Sequence, residues 1–230
     1  MIVSKTNRLS VNAWTTTGEP SSILFAHVAL QGGELDNWGT MGCCLVVDGQ
    51  VYGVTNYHVL FGEHTPPYVQ EYLAGKLPVY QLTRNQEQEL NQRIGCASNL
   101  FNPTLDYALV EVAPTFDLAS FPRLGEPIEP CIGMYVYKIG AATGLTHGII
   151  HASSQLEQSQ VVICPNKDLS SATLCDYGDS GSLWLYDDGT LLPRPVALHL
   201  GRDFHDSQRG RAQAFTSLLA DIHLHQSIMP

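Results

Sequence analysis

A mostly antiparallel, all-β architecture is predicted by this 230-residue sequence on three grounds. Short stretches rich in Val, Ile, Leu and Tyr recur along the chain; Gly, Pro, Asn and Asp bound them; and clear helical period is confined to the C-terminus. Many short strands separated by turn residues form a sandwich or a barrel.

In order, the strand-like stretches are SILFAHVAL, GCCLVVDGQVYGVT, LPVYQL, DYALVEV, MYVYKIG, HGIIHAS, QVVICP, SLWLYDDG, RPVALHL and AQAFTS. Asp48-Gly49 falls between two runs and Asp188-Gly189 follows another, as hairpin turns require. Residues 84–92, RNQEQELNQ, form the most polar stretch and are read as a long hairpin tip or loop. Residues 111–130 carry four prolines and no sustained period, so they read as an extended connector between two strand-rich parts, 1–118 and 119–230. Phe215, Leu218, Leu219 and Ile222 fall at i, i+3, i+4 and i+7, which predicts a terminal helix with Ser217 available as its cap.

Composition removes several function classes. With 12 Lys and Arg against 22 Asp and Glu, the net charge is −10, and a protein that binds nucleic acid needs cations to neutralise phosphates. No window approaches the roughly 18 apolar residues of a membrane span. After Met1 the sequence SVNAWTTTGEP stands where a signal peptide would carry its apolar core, so the expectation is a cytoplasmic protein. The six cysteines, at 43, 44, 96, 131, 164 and 175, show no repeated spacing and no CxxC pair. They read as reduced thiols, several of them buried as small hydrophobes, in a reducing compartment.

The segment CDYGDSGSLW, Cys175 to Trp184, carries the chemistry. The elbow of α/β-hydrolases needs GxSxG, and Ser182 stands where its second glycine belongs. What remains is a Gly-Asp-Ser-Gly turn. Gly178 and Gly181 permit backbone conformations closed to other residues, and such a turn can aim the amides of Gly178 and Ser180 at one oxyanion. A serine hydroxyl is a weak nucleophile without a base, and that base needs a carboxylate to fix its tautomer. VTNYHVL supplies His58 and NPTLDYALVEV supplies Asp106.

His58 in TNYHV, Asp106 in DYALV and Ser180 in GDSGS, in that order, resemble the triad of trypsin- and chymotrypsin-like serine peptidases. GTMGC and YKIGAATGLTHG resemble elements common in bacterial-type members, and the similarity runs from GTMGCCLVV to the terminal helix. The resemblance implies two six-stranded β-barrels with the triad in the cleft between them, a protein or peptide substrate, and no cofactor. It implies Ser180 as nucleophile, His58 as general base and Asp106 as its orienting carboxylate.

The departures also carry meaning. Val59 occupies the place of the cysteine that follows the histidine in animal digestive enzymes, and Asp176 the place of the one near the nucleophile. Those disulfides cannot form. The family often matures by a cleavage whose new Ile-Val amine pairs with the aspartate before the nucleophile, here Asp179. MIVSK matches only in letters, because a bulky second residue keeps Met1 in front of Ile2. Asp179 therefore needs another cation or set of donors. By the same resemblance Leu174 lies at the base of the primary specificity pocket, which disfavours cleavage after Lys or Arg. VALHLGR forms the facing wall, with His199 and Arg202 placed to bind an acidic or polar side chain. A regulatory domain or activating partner is a further expectation, and a catalytically silent barrel used for binding is the competing reading. His205 and the HLH of residues 223–225 lack a ligand set at metal spacing, so no metal site is expected.

Overall fold

The computed structural model describes residues 23–228 apart from 33–36, 48, 65, 75, 86–87, 119–120, 152–158, 167, 170–172 and 204–205. The elements run β1 (Ile23–Gly32), β2 (Trp38–Val47), β3 (Gln50–Thr55), α1 (Tyr57–Phe61), α2 (Pro66–Ala74), β4 (Pro78–Asn85), β5 (Gln88–Asn102) and β6 (Tyr107–Val112) in the first half. The second half continues with β7 (Tyr135–Gly140), β8 (Gly144–His151), β9 (Gln160–Pro165), β10 (Leu183–Tyr186), β11 (Arg194–Arg202), β12 (Gly210–Ala214) and α3 (Phe215–Ile228).

The strands close into two antiparallel barrels, in the orders β1-β2-β3-β6-β5-β4 and β10-β11-β12-β9-β8-β7. Closure pairs the two end strands of each order, β1 with β4 and β10 with β7. The second barrel closes through one pairing, Leu185 opposite Tyr137. One core, including Met41, Phe61, Ile94 and Val110, fills the first barrel. Another, with Ile150, Ile163, Trp184 and Val196, fills the second. A third joins them: Cys43, Leu45, Tyr107 and Leu109 of the first barrel pack with Leu183 and Leu198 of the second and with Phe215, Leu218 and Ile222 of α3. Burial of these side chains couples the halves, because separating them would return all of that apolar surface to water.

Helix α3 also reaches a functional turn. Asp221 accepts hydrogen bonds from the Tyr107 hydroxyl at 2.7 Å and from Asn102 Nδ2 at 3.0 Å. Asn102 Oδ1 in turn accepts from the amides of Thr104 and Leu105, at 2.8 and 3.1 Å, in the turn that leads to Asp106.

Four sequence expectations need correction. The RNQEQELNQ segment lies mostly in paired strand, since β4 and β5 continue to Asn85 opposite Gln88. Strand β5 itself is absent from the list of strand-like stretches, its run QELNQRIGCASN being too polar to register. Helices α1 and α2 also went unread, one a single turn and the other opening on Pro66-Pro67. Ser217 lies inside α3 instead of capping it, because the helix begins at Phe215. The Phe215, Leu218 and Ile222 face is buried as its spacing implies.

The barrels approach closely at Gly42 of β2, where an added Cβ would fall 2.3 Å from the Gly181 carbonyl oxygen and 2.8 Å from the Leu183 nitrogen. Backbone on both sides leaves nothing flexible to yield. Gly42→Ala is therefore expected to cost about 1–3 kcal/mol by overpacking, read as a lower urea midpoint; an unchanged midpoint would refute so tight an approach.

Candidate active site

His58 enters the cleft because β3 stops at Thr55 and a single helical turn follows. Asn56 is extended, with φ −79° and ψ 154°, and its Nδ2 donates to the Asp106 carbonyl at 2.8 Å. His58 is the second residue of α1. Asp106 has φ +51°, a left-handed conformation that Asp and Asn tolerate better than most residues. From there one carboxylate oxygen accepts the His58 backbone N–H at 3.1 Å and the other faces His58 Nδ1 at 2.8 Å. A carboxylate only accepts, so Nδ1 carries a proton, and in the neutral ring this leaves the lone pair on Nε2.

The Ser180 turn is built from close approaches. Gly178 has φ +101° and Gly181 φ +88°. A Cβ at the first would strike the Trp38 ring at 2.3 Å and one at the second the Thr40 carbonyl oxygen at 2.1 Å. Thr40 bonds this turn twice, its N–H donating to the Ser180 carbonyl at 2.7 Å and its hydroxyl to the Gly178 carbonyl at 2.8 Å. With those carbonyls tied down, the amides of Gly178 and Ser180 donate to no acceptor among the described residues. Ser180 Oγ donates to the Leu200 carbonyl at 3.2 Å.

Asp179, fully buried, has the partner that the sequence left unnamed. Its carboxylate accepts from Lys138 Nζ at 2.8 Å, Thr143 Oγ1 at 2.6 Å, and the amides of Ala142, Thr143 and Asp176 at 3.0 Å each. Lys138 is also fully buried and lies 5.6 Å from the centre of the Trp184 ring. Burial alone would raise the Asp179 carboxyl, but the Lys138 charge and the Thr143 hydrogen bonds outweigh it and hold the group below the usual carboxylate range. A legible signal existed: Val136, Lys138 and Gly140 share the inward face of β7, and a lysine at an inward position requires a buried counter-charge. Ile2 lies outside the described residues.

Beside Ser180, Leu174, His199 and Gly210 converge. A Cβ at Gly210 would stand 3.1 Å from His199 Cε1 and 3.7 Å from Leu174 Cδ2. His199 is fully buried, and the Trp184 indole N–H donates to its Nδ1 at 3.3 Å. Burial first, then the Lys138 charge, pushes the imidazole down to about 3. Arg202 is already engaged: Nη2 bonds Asp176 Oδ1 at 2.7 Å and Nε donates to the Cys175 carbonyl at 3.3 Å. All six cysteines are free thiols. Burial pushes Cys43 and Cys44 up, the latter to about 12, which keeps them unreactive. Among the described residues no three ligand-type side chains gather around a metal position; His205 lies outside them.

No family model and no curated protein matches the sequence. Solved structures do. A glutamic-acid-specific serine protease described as using a histidine triad in substrate binding aligns at TM-score 0.55 and 15% identity, over 86% of this chain and 96% of its own. Thermobifida fusca protease A aligns at 0.56 and 15%, over 86% and 94%. Nocardiopsis protease aligns at 0.55 and 17%, over 86% and 95%. The fold is that of the chymotrypsin-like serine proteases. In this chain the paired His58 and Asp106 come from the first barrel, and the Ser180 turn, with Leu174 and His199 packed near it, comes from the second. Among the described residues no helix is long and apolar enough to cross a membrane.

Proposed function

We propose that the chain is a serine endopeptidase acting on proteins or peptides. Ser180 attacks the scissile carbonyl, His58 Nε2 takes the hydroxyl proton and later delivers it to the leaving amine, and Asp106 holds the imidazole in its tautomer. The amides of Gly178 and Ser180 stabilise the oxyanion. Leu174 and His199 line the pocket for the residue before the scissile bond and favour an acidic or polar side chain over Lys or Arg. Arg202 stands at its edge. The observation that carries this reading is the 2.8 Å bond from His58 Nδ1 to Asp106, which leaves the opposite ring nitrogen basic, together with a Gly-flanked serine whose neighbouring amides are free to donate.

A second reading, a latent or silent barrel awaiting a partner, draws on the Ser180 hydroxyl, which bonds the Leu200 carbonyl instead of the imidazole. A serine-directed fluorophosphonate separates the two. We expect the folded protein to be labelled, and labelling to vanish in Ser180→Ala. A folded sample that stays unlabelled would overturn the peptidase reading in favour of the latent one.

A further inference from the structure

We infer that Asp221 of α3 is a positioning residue for the His58–Asp106 pair: one of its carboxylate oxygens grips both legs of the hairpin that ends on Asp106, and so ties the aim of His58 to the seating of the C-terminal helix. This rests on the peptidase reading and adds to it a residue outside the three reacting side chains.

The turn between β5 and β6, residues 103–106, ends on Asp106, and Asn102 and Tyr107 face each other at its base. Both reach the same atom. Asp221 Oδ2 accepts from Asn102 Nδ2 at 3.0 Å and from the Tyr107 hydroxyl at 2.7 Å. A carboxylate only accepts and a backbone amide only donates, so Asn102 has a single orientation. Its Nδ2 faces Asp221 and its Oδ1 takes the amides of Thr104 and Leu105, at 2.8 and 3.1 Å. Tyr107 is fully buried, and losing that oxygen would strand its hydroxyl at a cost.

Asp106 is thus held through the turn before it and the residue after it, while Asn56 Nδ2 holds its carbonyl at 2.8 Å. Its side chain meets His58 at two points, the backbone N–H at 3.1 Å and Nδ1 at 2.8 Å. Any shift of the hairpin moves that acceptor, and a misplacement of about 1 Å can cost about a hundredfold in rate. Asp221 does not move alone. Leu218 and Ile222, on the same helix, pack with Leu183 and Leu198 of the second barrel. A carboxylate of the first barrel is therefore aimed by a helix fixed against the second.

The test is Asp221→Leu, which keeps a branched shape and removes the acceptor. We expect the folded variant to react with a serine-directed fluorophosphonate, or to turn over a peptide that the native protein cleaves, about ten- to a hundredfold more slowly, with KM within about twofold of native. The proton-NMR resonance of His58 Nδ1–H should leave its native position. Asp221→Asn, whose Oδ1 can still accept both bonds, should restore rate and resonance. A purely supporting Asp221 would lower the thermal midpoint but leave the rate per folded molecule and the resonance unmoved. That result overturns the inference and leaves the peptidase reading intact, as does an Asp221→Asn variant no faster than Asp221→Leu. Should the native protein be neither labelled nor active, the peptidase reading falls by itself and the resonance decides: displaced in Asp221→Leu and restored in Asp221→Asn, it supports the positioning role; unmoved, it overturns it. If Asp221→Leu does not fold, Tyr107→Phe takes its place under the same criteria, because it removes one of the two donors and keeps the ring in its core.

Discussion

Asp106→Asn is expected to lower kcat by about 10⁴-fold and to leave the thermal midpoint almost unmoved. Two observations combine in this expectation. The residue is left-handed at φ +51°, a conformation Asn adopts as readily as Asp, so the backbone should not rearrange. One side-chain oxygen must still accept the His58 backbone N–H, at 3.1 Å, and this fixes which way the amide faces. Its NH₂ then lies against Nδ1, where the native carboxylate stands at 2.8 Å. Two donors repel, so the ring moves its proton to Nε2 and loses the lone pair that should deprotonate Ser180. Full activity in Asp106→Asn, measured on any peptide the native protein cleaves, would show that Asp106 does not set the tautomer.

Lys138→Met is expected to cost about 3–5 kcal/mol, the scale for breaking a buried ion pair, and to lower kcat through the Ser180 turn. Methionine keeps the length of the stem but leaves Asp179 without its cation, at a position where both side chains are fully buried. The remaining donors, Thr143 and three amides, belong to the 141–143 turn and to Asp176. They can loosen together with the turn they support. The pH dependence has a definite sign. In the native protein the Asp179 pKa is lowered, so its stabilising contribution is complete above the unfolded carboxylate value, roughly pH 4, and is lost as the pH falls through the folded value. In the variant, burial acts on an unpaired carboxyl and raises it, so the acid form takes over sooner. The deficit against native protein should be largest near neutrality and narrow on acidification, as urea unfolding at several pH values would reveal. A deficit under about 1 kcal/mol at neutral pH would mean that the neutral donors suffice.

How far the molecule could be read from its residues differs from part to part. Most strands were legible because each is a short apolar run bounded by turn residues. Strand β5 was not, since its fifteen residues hold few large apolar side chains and no compositional contrast with a loop. Helix α1 is too short to show a period, although it is what carries His58 into the cleft. At the site, the types and order of His58, Asp106 and Ser180 stand in the sequence, whereas the 2.8 Å approach of His58 Nδ1 to Asp106 belongs to the fold alone. The Lys138–Asp179 bond joins positions 41 residues apart, and nothing local to either residue names the other. The engagement of Arg202 by Asp176 was hidden for the same reason: it joins the last residue of β11 to the loop before the Ser180 turn, 26 residues away in sequence.

The lysine that steadies Asp179 sits mid-strand, so it arrives with the sheet itself. On the proposed reading, the cation that Asp179 needs comes from within the second barrel and requires no amine newly freed by cleavage.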